Sequence, residues 1–258
     1  MIPIRDDNPT SRRAVVTILL IVVNIAIFFA IQLPKSKDAE TLFEYRWAGV
    51  PCELHTGHPV VAVPTGAIAP TTCSVEADGI ARPEPIFPQK NVWLAVFISM
   101  FLHASILHVL GNMLFLWIFG NNVEDQLGRF WFLVLYLVGG IVASTVHVLG
   151  NLGSASPFLG ASGAIAVVMG AYIVWFPRAR VLTLVPIVLI FVPIRLPAVL
   201  VLGLWFLLQV FTQSSGGIAT LAHVGGFVFG MLVAYVLARA GGFPRRPPAA
   251  ARSAIPGY

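Results

Sequence analysis

Long apolar runs separated by short polar stretches dominate the chain. They fall at about 14–33, 104–120, 130–149, 162–177, 197–212 and 219–238, most of them near the roughly 20 residues an α-helix needs to cross a hydrocarbon core of about 30 Å. A further run, 181–194, reads differently. Arg180-Val181-Leu182-Thr183-Leu184-Val185-Pro186 and Ile190-Phe191-Val192-Pro193-Ile194-Arg195 are short, proline-broken and β-branched, which suits an interfacial hairpin better than a span. A crossing there would also send Arg195 outward. Six helices are therefore expected, in an all-α polytopic membrane protein: a cytoplasmic segment 1–13, a six-helix domain 14–240, and a Pro- and Arg-rich tail 241–258 expected to be disordered. Arg12 and Arg13 give the first run the flank of a signal peptide. Its length and the lack of a small-residue cleavage site near Gln32-Leu33-Pro34-Lys35 make it a retained helix.

Composition agrees with this pattern. Apolar residues make up 57% and charged residues 10% of the chain, against roughly 25% charged in soluble domains, and the mean hydropathy is +0.86. Basic residues fix the expected orientation. With the N-terminus in the cytoplasm, Arg5, Arg12, Arg13, Arg129, Arg178, Arg180, Arg195, Arg239, Arg245, Arg246 and Arg252 all lie inside, and the short loops 150–161 and 213–218 carry no basic residue outside. Both termini are then cytoplasmic, and the setting is a plasma membrane; the high Ala, Val and Arg content suggests a bacterial one. The pI of about 9.6 needs no nucleic acid, because the cationic side faces anionic lipid.

The long segment 34–92 falls outside. It holds both cysteines, Cys52 and Cys73, whose pairing in an oxidising exterior is possible from the compartment alone. Pro, Gly, Thr and His are frequent from Pro51 to Pro88, so little regular structure is expected there. Val92–Leu102 reads as an amphipathic helix along the outer interface or as a short buried helix. His55 and His58 read as solvated, His147 as a helix contact, His103 as a non-catalytic residue near the outer interface, and Trp117, Trp131, Trp175 and Trp205 as anchors or packing.

Candidate chemistry sits at three polar points. Ser162 opens the fourth run within Gly160-Ala161-Ser162-Gly163, and His223 opens the sixth within Ala222-His223-Val224-Gly225-Gly226; together they suggest a nucleophile and its base. The two-residue pairing needs 181–194 not to cross, since a crossing would leave them at opposite faces. His108 and Asn112, four residues apart on the second run, share one helix face and are both able to donate to an oxyanion. Small residues at intervals of four, Ala222, Gly226, Gly230 and Ala234 on the sixth run and Ser162, Ala166 and Gly170 on the fourth, allow two backbones to approach closely.

Missing carboxylates narrow the mechanism. No Asp or Glu follows Asp125, and none lies between Pro85 and Val123. An intramembrane aspartyl dyad and a Ser-His-Asp triad are excluded within the expected helices. No His-Glu-x-x-His occurs, so a zinc protease is disfavoured, and neither metal nor cofactor is expected. No broken-helix repeat marks a transporter site.

The Gly160-Ala161-Ser162-Gly163 and Ala222-His223-Val224-Gly225-Gly226 motifs, with His108-x-x-x-Asn112, resemble the rhomboid intramembrane serine proteases over about 95–238. The resemblance implies a six-helix fold and an endopeptidase in which Ser162 is the nucleophile and His223 the general base. It implies oxyanion donors in His108, Asn112 and the backbone amide of Ser162, with Gly160, Gly163, Gly226 and Gly230 packing nearby. It also implies transmembrane protein substrates cleaved near the outer face; the alternative is a non-catalytic rhomboid-like protein that binds membrane helices in quality control. Oligomeric state is not readable. Two departures stand out: Ala166 occupies the position four after the serine where many members carry an aromatic residue, and Arg46-Trp47 has the reverse order of the Trp-Arg pair some members carry.

Overall fold

The computed structural model describes residues 1–33, 36–60, 85–187, 190–211 and 219–241. Part of the expected tail, 242–258, and Cys73 lie outside them. All six apolar runs are helical. Helix α1 (Val15–Ile27) continues through a π-helical turn, Phe28–Gln32. Helix α5 (Ile106–Phe115) continues through a second π-turn, Leu116–Gly120, into α6 (Asn121–Leu127); α7 spans Arg129–Leu149, α8 Ser162–Trp175, α9 Ala198–Phe211 and α10 Thr220–Ala240. Four of these are long and apolar enough to cross a membrane, over 15–32, 106–127, 129–149 and 220–240, whereas α8 and α9 are shorter apolar helices. Exposed Leu19, Val22, Trp131, Leu204, Leu208, Leu232 and Val236 give the bundle an apolar outer surface, as a lipid-facing one requires. The chain is a multi-pass integral membrane protein.

Helix α8 is the central element. Every residue from Gly163 to Tyr172 is buried, and its most extensive contact is with α10. The glycines explain that closeness. A Cβ at Gly226 would lie 2.5 Å from the carbonyl oxygen of Gly163, one at Gly230 would collide with the carbonyl of Val167, and one at Gly170 with that of Phe227. Without a hydrophobic driving force in lipid, such backbone approach is a main source of helix association.

The stretch 181–194 forms antiparallel strands, β2 (Arg180–Ile187) and β3 (Ile190–Pro197), paired from Arg180↔Pro197 to Ile187↔Ile190. The N-terminal segment adds β1 (Ile2–Asp6) to β2, which qualifies the all-α expectation with a three-stranded sheet in the order β1-β2-β3. β1 pairing reaches only to Leu184, so Pro186 sits where β2 has a single neighbour and its missing N–H costs little. Asp6 ties this sheet to the bundle by accepting from Tyr172 Oη (2.8 Å) and Asn122 Nδ2 (2.6 Å).

The expected second helix, 104–120, is extended by α6, whose Glu124 was not anticipated inside a span. The carboxylate is buried because it caps α1, accepting from Val16 N (3.0 Å), Thr17 N (2.8 Å) and Thr17 Oγ1 (2.8 Å). It lies sixteen residues from His108, about 24 Å along a helix, and takes no part in the Ser162 region.

The described part of the segment 34–92 is more regular than its composition suggests. Helix α2 (Lys37–Trp47) begins at Ser36, whose hydroxyl accepts from Ala39 N, with Asp38 and Glu40 in its first turn and Arg46 in its last, all favourable to the helix dipole. Helix α3 (Pro51–Thr56) has Pro51 in its first turn and Gly57 at φ 74° just past its end. The expectation of little regular structure from Pro51 fails at α3 because these local signals outweigh the Pro, Gly and Thr content. Glu53 is fully buried, ion-paired with Lys90 and bonded to Val60 N (3.0 Å). Burial lowers the Lys90 pKa, while Glu53 opposes that shift. Cys52 is buried. Helix α4 (Val92–Ser99) falls within the expected helix 92–102 but is not amphipathic. Its outward residues Trp93, Leu94 and Phe97 are apolar, so it has no polar face.

Candidate active site

Ser162 is the first residue of α8, and what precedes it explains its placement. Gly160 has φ 133°, a conformation L side chains rarely adopt, and a Cβ there would lie 2.9 Å from His108 Cε1 and 3.0 Å from His108 Nε2. Glycine thus turns the chain into α8 and lets its backbone pass against His108. The loop is held by distant backbone: Gly160 N donates to Ser99 O (2.9 Å), Phe158 N to Gly49 O (2.8 Å), and Cys52 N to Ser154 O (3.0 Å). Ser99 Oγ in turn accepts from Gly49 N (2.6 Å) and donates to Ala95 O (2.6 Å). Ser99, Gly49 and Phe158 escaped the sequence reading, since nothing local in the chain announces contacts at such separation.

His223 lies in the first turn of α10. Its Nε2 is 2.7 Å from Ser162 Oγ and its Nδ1 is 2.7 Å from Gln209 Oε1. The indole of Trp205 packs on its ring, with centroids 5.9 Å apart. Trp205 and Gln209 are one turn apart on α9. Gln209 was missed; the available signal was a carboxamide in an otherwise apolar run. Trp205 is packing rather than an interfacial anchor.

Ser105 caps α5, accepting from His108 N (3.1 Å). His108 Nδ1 accepts from Ala104 N (3.4 Å), which leaves Nε2 as the donating nitrogen, turned toward Gly160. Asn112 is buried and its Nδ2 has no partner among the described residues. An open cavity of about 330 Å³ is lined by Ser162, His223, His108, Asn112, Trp205 and Gln209 among others. The structure thus brings four of the sequence candidates to one cavity. Gly163, Gly226 and Gly230 lie in the α8–α10 contact beside it, and Cys52 lies away from it in α3. Among the described residues no cluster of His, Cys, Asp or Glu suits a metal.

His103 sits behind His108, fully buried, with ring centroids 5.2 Å apart. Its main chain is clamped by Gln32, which donates to His103 O (3.1 Å) and accepts from His103 N (2.9 Å). Burial first, and the field of His108 second, push its pKa down to about 3.

The rhomboid domain model matches residues 90–240, more than half of the chain. The chain belongs to the rhomboid family. This rhomboid is 34% identical over 151 residues to presenilin-associated rhomboid-like protein A, mitochondrial, of Danio rerio, covering 55% of this chain and 37% of that protein. It is 34% identical over 135 residues to rhomboid protease GlpG of Yersinia pestis, covering 52% and 45%. Rhomboid protein 1, mitochondrial, of Saccharomyces cerevisiae is 30% identical over 159 residues, covering 57% and 42%. The rhomboid chain therefore matches less than half the length of each of these relatives.

Proposed function

We propose that this protein is an intramembrane serine endopeptidase that cleaves transmembrane segments of membrane proteins near the outer face. The observation that carries the reading is the 2.7 Å approach of Ser162 Oγ to His223 Nε2 at the wall of an open cavity. Ser162 Oγ attacks the scissile carbonyl while its proton passes to His223 Nε2. The oxyanion takes bonds from His108 Nε2, Asn112 Nδ2 and the amide of Ser162; the unpartnered Asn112 donor supports this, since a buried N–H without an acceptor is a standing cost that the oxyanion removes. His223 then protonates the leaving amine, and an acyl ester remains on Ser162. Water, deprotonated by His223, attacks that ester and frees the carboxylate product.

The six-helix crossing with cytoplasmic termini belongs to the same proposal. Fourteen residues make α8 about 21 Å long, short of a hydrocarbon core of about 30 Å. A crossing therefore needs the loop before Ser162 to dip roughly 9 Å, which delivers the serine below the outer surface, and irregular backbone at that depth is tolerable where it borders protein or water. A Cys52–Cys73 disulfide would close the outer segment. The names of the relatives, one of them a rhomboid protease, support proteolysis.

The test is a fluorophosphonate probe and a model transmembrane substrate in liposomes. Labelling at Ser162, with cleavage abolished in Ser162→Ala and His223→Ala, is expected. An unlabelled Ser162 in folded protein, or cleavage that survives Ser162→Ala, points instead to non-catalytic binding of membrane helices.

A further inference from the structure

No carboxylate is available to orient His223 from within the helices around it. The position four after Ser162 on α8 is Ala166, whose methyl group offers the ring no hydrogen bond. Both groups that hold the imidazole in place of these come from α9: Trp205 lies on the ring and Gln209 Oε1 meets Nδ1 at 2.7 Å. They are four residues apart and so share one face of the helix.

We infer that Gln209 is a positioning residue for this site, fixing the tautomer and the rotation of His223 through a bond from Nδ1–H to its side-chain carbonyl. The inference rests on the serine-protease reading for its kinetic consequence, not for its geometry. A carbonyl oxygen accepts only, so the proton resides on Nδ1 and the lone pair of Nε2 faces the Ser162 hydroxyl, the arrangement a general base needs. A carboxamide does this without adding charge. Unlike a carboxylate, it gives little electrostatic support to the imidazolium formed during attack. Trp205 meets the ring at a tilt of 41° with centroids 5.9 Å apart, and Gln209 sets the choice between the two nitrogens.

The test compares Gln209→Met, which keeps length but lacks the acceptor, with Gln209→Glu, which keeps the acceptor and adds charge. In liposomes, Gln209→Met is expected to lower kcat about tenfold or more with KM little changed. Gln209→Glu is expected to recover acceptor function and to move the acid limb of the kcat–pH profile to higher pH. His108 and His147 are the other titratable groups whose fields reach His223, and they are common to all three proteins. Native-like kcat in Gln209→Met, or a Gln209→Glu profile that coincides with the native one, overturns the inference. Nitrogen-15 NMR of His223 reads the same point without turnover: an Nδ1-protonated native ring that becomes a tautomer mixture in Gln209→Met supports it, and an Nε2-protonated native ring sinks it. Failure of the protease reading is recognised separately, by the absence of Ser162 labelling in the native chain.

Discussion

Gly226→Ala probes the α8–α10 contact where it bears most directly on the site. Gly226 follows His223 by three residues, and Gly163 follows Ser162 by one. A Cβ at Gly226 would lie 2.5 Å from the carbonyl oxygen of Gly163 and 3.2 Å from Ala143 Cβ, while ordinary van der Waals contact starts near 3.4 Å. The obstacle is backbone, so relief requires α8 and α10 to part by about 0.9 Å locally. A parting of that size along the Ser162–His223 line would stretch the 2.7 Å bond to about 3.6 Å, beyond hydrogen-bonding reach. Overpacking of this kind costs about 1–3 kcal/mol, in contrast to the gain of roughly 0.5–1 kcal/mol that Gly→Ala gives in an unencumbered helix. Gly203→Ala on α9 is the control, because nothing lies within 4 Å of its added Cβ. Thermal unfolding in detergent and the rate of fluorophosphonate labelling per folded molecule should both fall in Gly226→Ala, whereas in Gly203→Ala the labelling rate should hold and the unfolding temperature should hold or rise. A folded Gly226→Ala protein labelled at the native rate would refute the close-packing argument.

Asn112→Ala should lower kcat about 10²–10³-fold while leaving the unfolding temperature unchanged or raised, since it removes an unpartnered buried donor; a loss of stability matching the loss of activity would count against an oxyanion role. Lys90→Met leaves the Glu53 carboxylate buried without its cation and should destabilise the region around α3 by about 3–5 kcal/mol, read as faster proteolysis there, whereas adding Glu53→Leu to Lys90→Met should restore much of that loss. His103 has a folded-state pKa near 3, below an ordinary value of about 6.5, so the folded state favours the neutral ring. Its contribution to stability is full above about pH 6.5 and falls as pH drops toward 3; unfolding temperature measured against pH should show this limb in the native chain and a shallower one in His103→Leu.

Hydropathy located the six apolar runs that the structure shows as helical, because a bilayer demands long apolar runs whatever they pack against; setting 181–194 aside took its prolines and β-branched residues. The β-branched, proline-broken stretch 181–194 was legible as strands for a local reason, while the strand β1 that joins it was not: Ile2–Asp6 has no pattern of its own and is held by pairing with residues some 180 positions away. Helices α2 and α3 carried readable caps that composition obscured.

At the site, Ser162, His223, His108 and Asn112 stood out because polar side chains in apolar helices are costly and therefore conspicuous, and the spacing of the glycines announced a close α8–α10 contact. Sequence could not supply the partners of the two histidine rings, the ring contact from Trp205, the carbonyl of Gln209 at Nδ1, or the anchoring of the Ser162 loop by Ser99 and Gly49. Residue type and local spacing depend on near neighbours in the chain and can be read there. Orientation depends on which faces of distant helices meet, and only the packing of α5, α8, α9 and α10 around one cavity decided it.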